Sequence, residues 1–439
     1  MLKNMKAFGA ILFGLVLCAG VEAGATTAKS GKKHHTTATA HSSARAHTRT
    51  AHTSKTTQAH RTAVSHRAVK HTTRRTTRRS VATVRSRHGA RLVRVSRQTR
   101  YRHRRYRYIE RFTASSFTAD ATDLTQGDVT AGEDPAVRAA AIDALGNMNG
   151  TVVAIDPTNG RILAMVNQKL ALSRGAEPCS TIKLSVALAA LEEGIVTKDT
   201  PVKLGRRFSM TMTQALAHSN NLYFETLGRE LGFDRVKHYA NQFGLGELAG
   251  YDIQGEQLGT YPDEVLPASE GGVGKMCSFG QGVSMTPLQL GALISAIANG
   301  GTLYYLQHPE TPEEVASFEP RVKRKLNIAP LIPEIQDGME GAVQYGTARS
   351  LRANFSQFPV MGKTGTCSND GTRFGWFGSY ADTPRGPIVT VFFLEGGRPT
   401  FGPKAAALTG EFYQALWDKS YFAPKEQAPI ETGEIGGSE

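Results

Sequence analysis

The chain has 439 residues, 40% hydrophobic and 21% charged, with a formal net charge of +14; that is room for one large domain with extensions, or for two or three domains. The charge is unevenly placed. Residues 26–109 hold 23 Lys and Arg and no Asp or Glu, whereas from Glu110 onward 27 Lys and Arg face 37 Asp and Glu. The basicity therefore belongs to one segment, and a body designed as a whole for polyanions such as nucleic acid is excluded.

In chain order, residues 1–25 read as a secretory signal. Lys3 and Lys6 precede an apolar run from Ala7 to Val21, and small residues at Ala23 and Ala25 suit cleavage. The run is short for a membrane span, and bulky Leu17 before Cys18 argues against a lipidation site. Export would place the body where thiols can pair, in the periplasm or cell envelope. Residues 26–109 shuffle Thr, Ser, Ala, Arg and His with few large apolar residues before Val81; such a segment buries too little to offset its ordering entropy and is expected to be disordered. Ten of the thirteen histidines lie there at irregular spacing, which fits a solvated spacer better than a metal site. No metal or cofactor is expected. Outside the cytoplasm the available partners for its arginines are anionic cell-surface polymers and lipid headgroups, and nucleic acid is not an expected partner. Residues 110–133 read as a short acidic-polar linker.

Ordered structure is expected from Asp134, an N-cap before Pro135 and the helical "AVRAAAIDALG". "TVVAID" and "RILAMV", separated by "PTNG", predict a hairpin. Helical patterns fill most of 181–300; strands return at "PVMGKTGT", "FGWFGSYA" and "PIVTVFFLE", and "PKAAALTGEFYQALWDKS" predicts a closing helix. Strands first, helices between and strands last predict an α+β domain over 134–422. An antiparallel sheet is assembled from both ends, with a helical region beside it. Residues 423–439 read as a flexible tail.

Three short stretches carry candidate chemistry. In "EPCSTIK", Ser180 and Lys183 are three apart at the head of an apolar helix and so share a face. They are either a helix start with an exposed amine, or a hydroxyl activated by its neighbour. In "HSNN", Ser219 and Asn221 precede a helical run and alone read as capping residues. "MGKTGTC" invites a phosphate-loop reading, but Gln357 stands where that pattern needs glycine, and strand-like sequence follows instead of a helix. Lys363, Thr364, Gly365 and Thr366 are then a strand whose glycine permits close approach.

The ordered set Ser-x-x-Lys, Ser-x-Asn, Lys-Thr-Gly resembles penicillin-binding transpeptidases and class A β-lactamases. The likeness to the transpeptidase family extends over about 134–420, through "VVAIDPTNGRILAMV", "FGLGELAGYDIQGEQLGTYP", "SFGQGVSMTPLQLGALISAIANGG" and "GTARSLRANFSQFPVMGKTGT". The resemblance implies a five-stranded antiparallel sheet flanked by helices, with a helical subdomain. It implies Ser180 as nucleophile, Lys183 as base, Ser219 as proton relay and Asn221 as holder of Lys183 and the substrate amide. The backbone N–H groups of Ser180 and Thr366 would form the oxyanion hole. Lys363, with the Thr364 and Thr366 hydroxyls, would bind a terminal carboxylate, and Gly365 would leave room for substrate along the strand. The implied partners are peptidoglycan stem peptides ending in D-alanyl-D-alanine, with β-lactams as covalent inhibitors.

The family would lead one to expect glycine at 179, where this chain has Cys179; Cys367 follows "KTGT". If the two oxyanion donors converge, their neighbours are close, and a Cys179–Cys367 disulfide is expected, as in some carbapenem-hydrolysing class A enzymes. Cys277 is left for the core. A D,D-carboxypeptidase and a serine β-lactamase stay open beside the transpeptidase, as does a non-catalytic wall- or polyanion-binding protein. No glutamate motif for lactamase deacylation is legible, since Glu256 in "GEQLG" fits the transpeptidase pattern. Nor is a pedestal or glycosyltransferase domain legible in 26–133, which counts against a core septal role.

Overall fold

A computed structural model describes residues 111–423. The leader at 1–25, the basic segment at 26–109 and all but the first residue of the tail at 423–439 lie outside the described residues. The early β-rich runs form strands β1 (Gly150–Asp156) and β2 (Arg161–Val166). The turn between them closes because Asp156 Oδ1 accepts the Thr158 N–H at 2.9 Å and Gly160 takes φ +81°. The late runs form β3 (Met361–Asn369), β4 (Thr372–Thr383) and β5 (Gly386–Gly396). Their order is β2-β1-β5-β4-β3, every pair antiparallel. The two halves meet where Val152 of β1 faces Phe392 of β5. β3 therefore ends the sheet, and among the described residues no strand pairs with its outer edge.

Strand alternation sends successive side chains to opposite faces. Val152 and Ala154 enter a rear core with Phe392 and Leu394; Val153 and Ile155 enter a front core with Val391 and Phe393. The rear is covered by helices α1 (Pro135–Leu145) and, from the chain's end, Gly402–Asp418. Asp134 caps α1 by accepting from the Ala136 and Val137 N–H groups. The front holds α2 (Lys183–Glu192), α3 (Met212–Ala217), α4 (Asn221–Leu231), α5 (Phe233–Gln242), α6 (Gly272–Phe279), α7 (Pro287–Ala298) and α8 (Ile332–Gln344); the closing helix is α9. Both α2 and α7 are buried on nearly every side, as all-round apolar sequences require. Buried Cys277 sits where α6 meets α4: a Cβ at Gly228 would lie 2.5 Å from its Sγ, and burial pushes its thiol pKa up to about 12.

The stretch read as a linker is built into the body from residue 111. Asn149 N–H donates to Ser116 O (2.9 Å), and Thr400 Oγ1 donates to Ser116 Oγ (2.9 Å). Within that stretch Asp128 and Glu133 clamp Arg138 of α1 at 2.9 and 2.8 Å. Asp128 also accepts the N–H groups of Asn167 and Gln168, and Glu133 that of Met165. The end of β2 leaves donors that need buried acceptors, and these carboxylates supply them.

Candidate active site

Ser180 lies in a short 3-10 turn, Cys179–Ile182, that runs directly into α2 at Lys183. In such a turn residues i and i+3 eclipse, which stacks the hydroxyl under the amine more closely than an α-helix would. Lys183 Nζ donates to Ser180 Oγ at 2.8 Å. The same nitrogen reaches Asn221 Oδ1 at 2.6 Å, Ser219 O at 2.9 Å and Ser219 Oγ at 3.1 Å. The capping reading of "HSNN" also holds, for a different residue: Asn220 Oδ1 accepts the Tyr223 N–H. With Asn220 as cap, Asn221 opens α4 and is free to turn inward.

Lys363 enters from β3. Its Nζ donates to Ser219 Oγ at 2.9 Å and to Thr364 O at 2.9 Å. Ser219 Oγ thus lies between two amines, both fully buried. Burial lowers the Lys183 pKa well below the usual lysine value, the Lys363 charge lowers it further, and Glu225 works against both. Burial alone brings Lys363 down to about 7. Two ammonium groups around one hydroxyl in a dry site repel, so the arrangement favours an uncharged Lys183. An uncharged amine has a lone pair for the Ser180 proton, which is what a serine nucleophile needs.

Backbone conformation is spent here as well. Cys179 and Ser219, neither a glycine, adopt φ +51° and +54°, a region that costs such residues about 1–3 kcal/mol and recurs at functional sites. A disulfide joins Cys179 to Cys367 with Cα atoms 5.5 Å apart, so the residues beside Ser180 and Thr366 are held close. Trp376 Nε1–H donates to Glu177 O at 3.1 Å and anchors the approach to the turn.

Alternation along β3 corrects two expectations. Residues 363, 365 and 367 face the nucleophile turn, while Thr364 Oγ1 meets Thr347 Oγ1 (2.6 Å) and Thr366 Oγ1 accepts the Gly402 N–H (2.8 Å). Lys363 and the two hydroxyls are therefore not one side-chain cluster; the lysine supplies charge from beneath. Gly365 does not open space for substrate. A Cβ there would lie 2.8 Å from Pro178 O and 3.2 Å from Thr181 Cγ2, so the glycine lets the Ser180 turn dock on the strand. Glu256, the carboxylate weighed for deacylation, accepts N–H groups of Ala249 and Gly250 and staples its own loop.

Two contributors escape a reading of motifs. Thr347 lies in the "GTARSLRANFSQFPVMGKTGT" stretch, but nothing there marks its hydroxyl as the partner of Thr364. Glu225 lies four residues beyond Asn221 on the same helical face, and that spacing is the signal that finds it; it accepts from Arg229 Nη2 at 2.9 Å.

A family model described as the penicillin binding protein transpeptidase domain matches residues 150–413, more than half the chain and all of this site. The chain belongs to the penicillin-binding protein transpeptidase family. Similar proteins include Stage V sporulation protein D of Bacillus subtilis, 32% identical over 257 residues, which are 49% of this chain and 39% of that protein. The peptidoglycan D,D-transpeptidase MrdA of Acinetobacter baumannii is 25% identical over 353 residues, covering 63% and 52%. The chain thus spans about two-fifths to one half of these penicillin-binding relatives. The solved D,D-transpeptidase domain of a peptidoglycan glycosyltransferase from Eggerthella lenta shares the fold, with TM-score 0.53 and 21% identity over 65% of this chain and 82% of that one. Pseudomonas aeruginosa PBP2 in complex with WCK 5153 does so at TM-score 0.53 and 23% identity, over 69% and 80%.

Proposed function

We propose that this protein is a penicillin-binding D,D-transpeptidase acting on peptidoglycan stem peptides that end in D-alanyl-D-alanine. The observation that carries the reading is the buried amine of Lys183, 2.8 Å from Ser180 Oγ and biased by burial toward its uncharged form. In the proposed reaction Ser180 Oγ attacks the penultimate D-alanine carbonyl while its proton passes to Lys183. The N–H groups of Ser180 and Thr366 hold the oxyanion. The C–N bond then breaks, and the leaving amine takes a proton through Ser219, which touches both lysines. A neighbouring stem's amine next attacks the acyl-enzyme and loses its proton to Lys183, which passes it to Ser180 Oγ as that oxygen is displaced. Asn221 holds Lys183 and the substrate amide. The Thr364 and Thr366 hydroxyls, across β3 from Lys363, turn from Thr347 and Gly402 to receive the terminal carboxylate at the strand edge, and Lys363 supplies charge from beneath. β-Lactams acylate the same serine.

The domain reading is part of the proposal. Residues 1–25 are an export leader, 26–109 a basic tether to anionic envelope polymers or lipid headgroups, and the enzyme works in the periplasm or cell envelope. Water as acceptor in place of an amine makes the protein a D,D-carboxypeptidase. Fluorescent penicillin labels the wild type and fails to label Ser180→Ala. Mass spectrometry of a model pentapeptide, with and without a D-amino acid as acceptor, then separates transfer from hydrolysis. Undiminished labelling of Ser180→Ala refutes the nucleophile. Rapid turnover of the drug would make the protein a β-lactamase instead.

A further inference from the structure

Lys183 Nζ has four oxygens within hydrogen-bond distance: Ser180 Oγ, Ser219 O, Ser219 Oγ and Asn221 Oδ1. Two of them, the Ser219 carbonyl and the Asn221 amide oxygen, can only accept. They take the two N–H bonds of an uncharged amine, and its lone pair is left for a serine hydroxyl. An ammonium is served as well, since Ser180 Oγ can accept its third N–H. The polar shell therefore satisfies either protonation state. The bias toward the uncharged one comes from neighbours that form no hydrogen bond with the amine.

Three such neighbours act on it. The Lys363 charge from β3 repels an ammonium, and the Glu225 carboxylate from α4 attracts one; no other charged group acts on Lys183 among the described residues. Glu225 is also engaged outward, with Arg229 Nη2 at 2.9 Å and with Lys275 Nζ of α6 at 3.4 Å, so its pull on Lys183 is partly offset. The third neighbour is the Phe224 ring, fully buried, with its centroid 5.6 Å from Lys183 Nζ. Phe224 stands three residues after Asn221 on α4, so the two share a face. The helix turn that brings the Asn221 amide to the amine brings the ring as well, and the Asn220 cap fixes that turn.

An aromatic ring can act on an amine in two opposite ways. It attracts an ammonium, out to about 6 Å from the centroid, and it excludes the water that an ammonium needs. At 5.6 Å the attraction is near its limit, whereas the exclusion is complete, because both side chains are fully buried. We propose that Phe224 is a positioning residue for the reaction: its ring holds water off the Lys183 amine, so that the amine stays free to take the Ser180 proton at neutral pH. The inference rests on the transpeptidase reading and names the side chain that makes its base usable.

The test follows acylation of the full chain by a fluorescent penicillin between about pH 6 and 10. Rates are taken per molecule labelled at completion, so misfolded protein drops out. In the wild type the rate climbs with pH as Lys183 loses its proton. Phe224→Ala leaves room for water beside the amine. Its climb is expected about one pH unit higher, a roughly tenfold loss at pH 7 that closes toward pH 10. Phe224→Leu keeps an apolar side chain there and leaves the climb in place. Lys363 titrates in the same range, so the shift between proteins is what is read. A loss in Phe224→Ala that is equal at every pH means that the ring only packs, and overturns the proposal. A climb that moves to lower pH in both variants also overturns it, as the sign of a ring that attracts the ammonium. Phe224→Val is read in the same way if Phe224→Ala yields no labelled protein. Absence of label at Ser180 in the wild type overturns the transpeptidase reading itself, whereas labelling with unmoved climbs overturns the role of Phe224 alone.

Discussion

Both faces of the central sheet pack an apolar core, but the front one also encloses buried amines. Behind it, Phe355, Phe358, Tyr413 and Phe422 form an aromatic cluster against α9, with ring centroids 4.6 Å apart for Phe355–Phe358 and 5.2 Å for Phe358–Phe422. In front, the same sheet covers two fully buried lysines that share one serine hydroxyl. Apolar burial is favourable at about 25 cal/mol per Å², whereas burying an amine is costly unless it sheds its proton. Apolar packing on both faces therefore stabilises the fold, and the front face spends some of that stability on a group able to accept a proton. Changes behind the sheet are expected to move stability and spare the chemistry; changes at the two front lysines do the reverse.

The largest separation is expected for Lys183→Met. It removes the base, and positioned bases contribute about 10²–10⁴-fold, so the rate of penicillin acylation, followed by stopped-flow fluorescence, falls by that range. A loss below tenfold would show that another group takes the Ser180 proton. Phe412→Ala, on the rear face and fully buried, is expected to lower unfolding stability by about 3–5 kcal/mol in urea titration. Its acylation rate per folded molecule stays within about twofold of wild type, since no reacting group is touched. A parallel drop in rate would mean that the faces are coupled.

The smallest effect lies in pH. Burial brings the Lys363 pKa down to about 7 in the fold, against an ordinary lysine value of 10.5. Between those values the unfolded chain holds a proton that the folded chain has released, so stability rises with pH. Below pH 7 both states are protonated and the cost of the buried charge is fully present. From pH 7 to 9 the wild type is expected to gain up to about 1.4 kcal/mol per pH unit from this group, a slope that Lys363→Met loses. Matching slopes in the two proteins would mean that Lys363 keeps its proton inside the fold.

What was legible in the sequence is what repeats at short range. The β1–β2 hairpin, the three late strands and α9 follow from period-2 and period-3.6 patterns, and the ordered Ser-x-x-Lys, Ser-x-Asn and Lys-Thr-Gly stretches place the candidate residues. Facing direction was harder to read. Gly365 looked like room for substrate, but only the register of β3 against the Ser180 turn shows its missing side chain pointing at Pro178. Asp128 and Glu133 looked like linker acids because their partners, Arg138 and the backbone donors after β2, are supplied by tertiary packing. Thr347 lies in a stretch that carries the family likeness, but its pairing with Thr364 comes from a strand face that exists only after folding.

The bond between Cys179 and Cys367, 188 residues apart in sequence, closes the intervening polypeptide into a covalent ring. That ring includes the helices in front of the sheet. A protease cutting once at exposed Arg206 or Arg207 opens the ring without releasing a fragment. The clipped molecule migrates as one species on a non-reducing gel and splits in two only after a thiol is added.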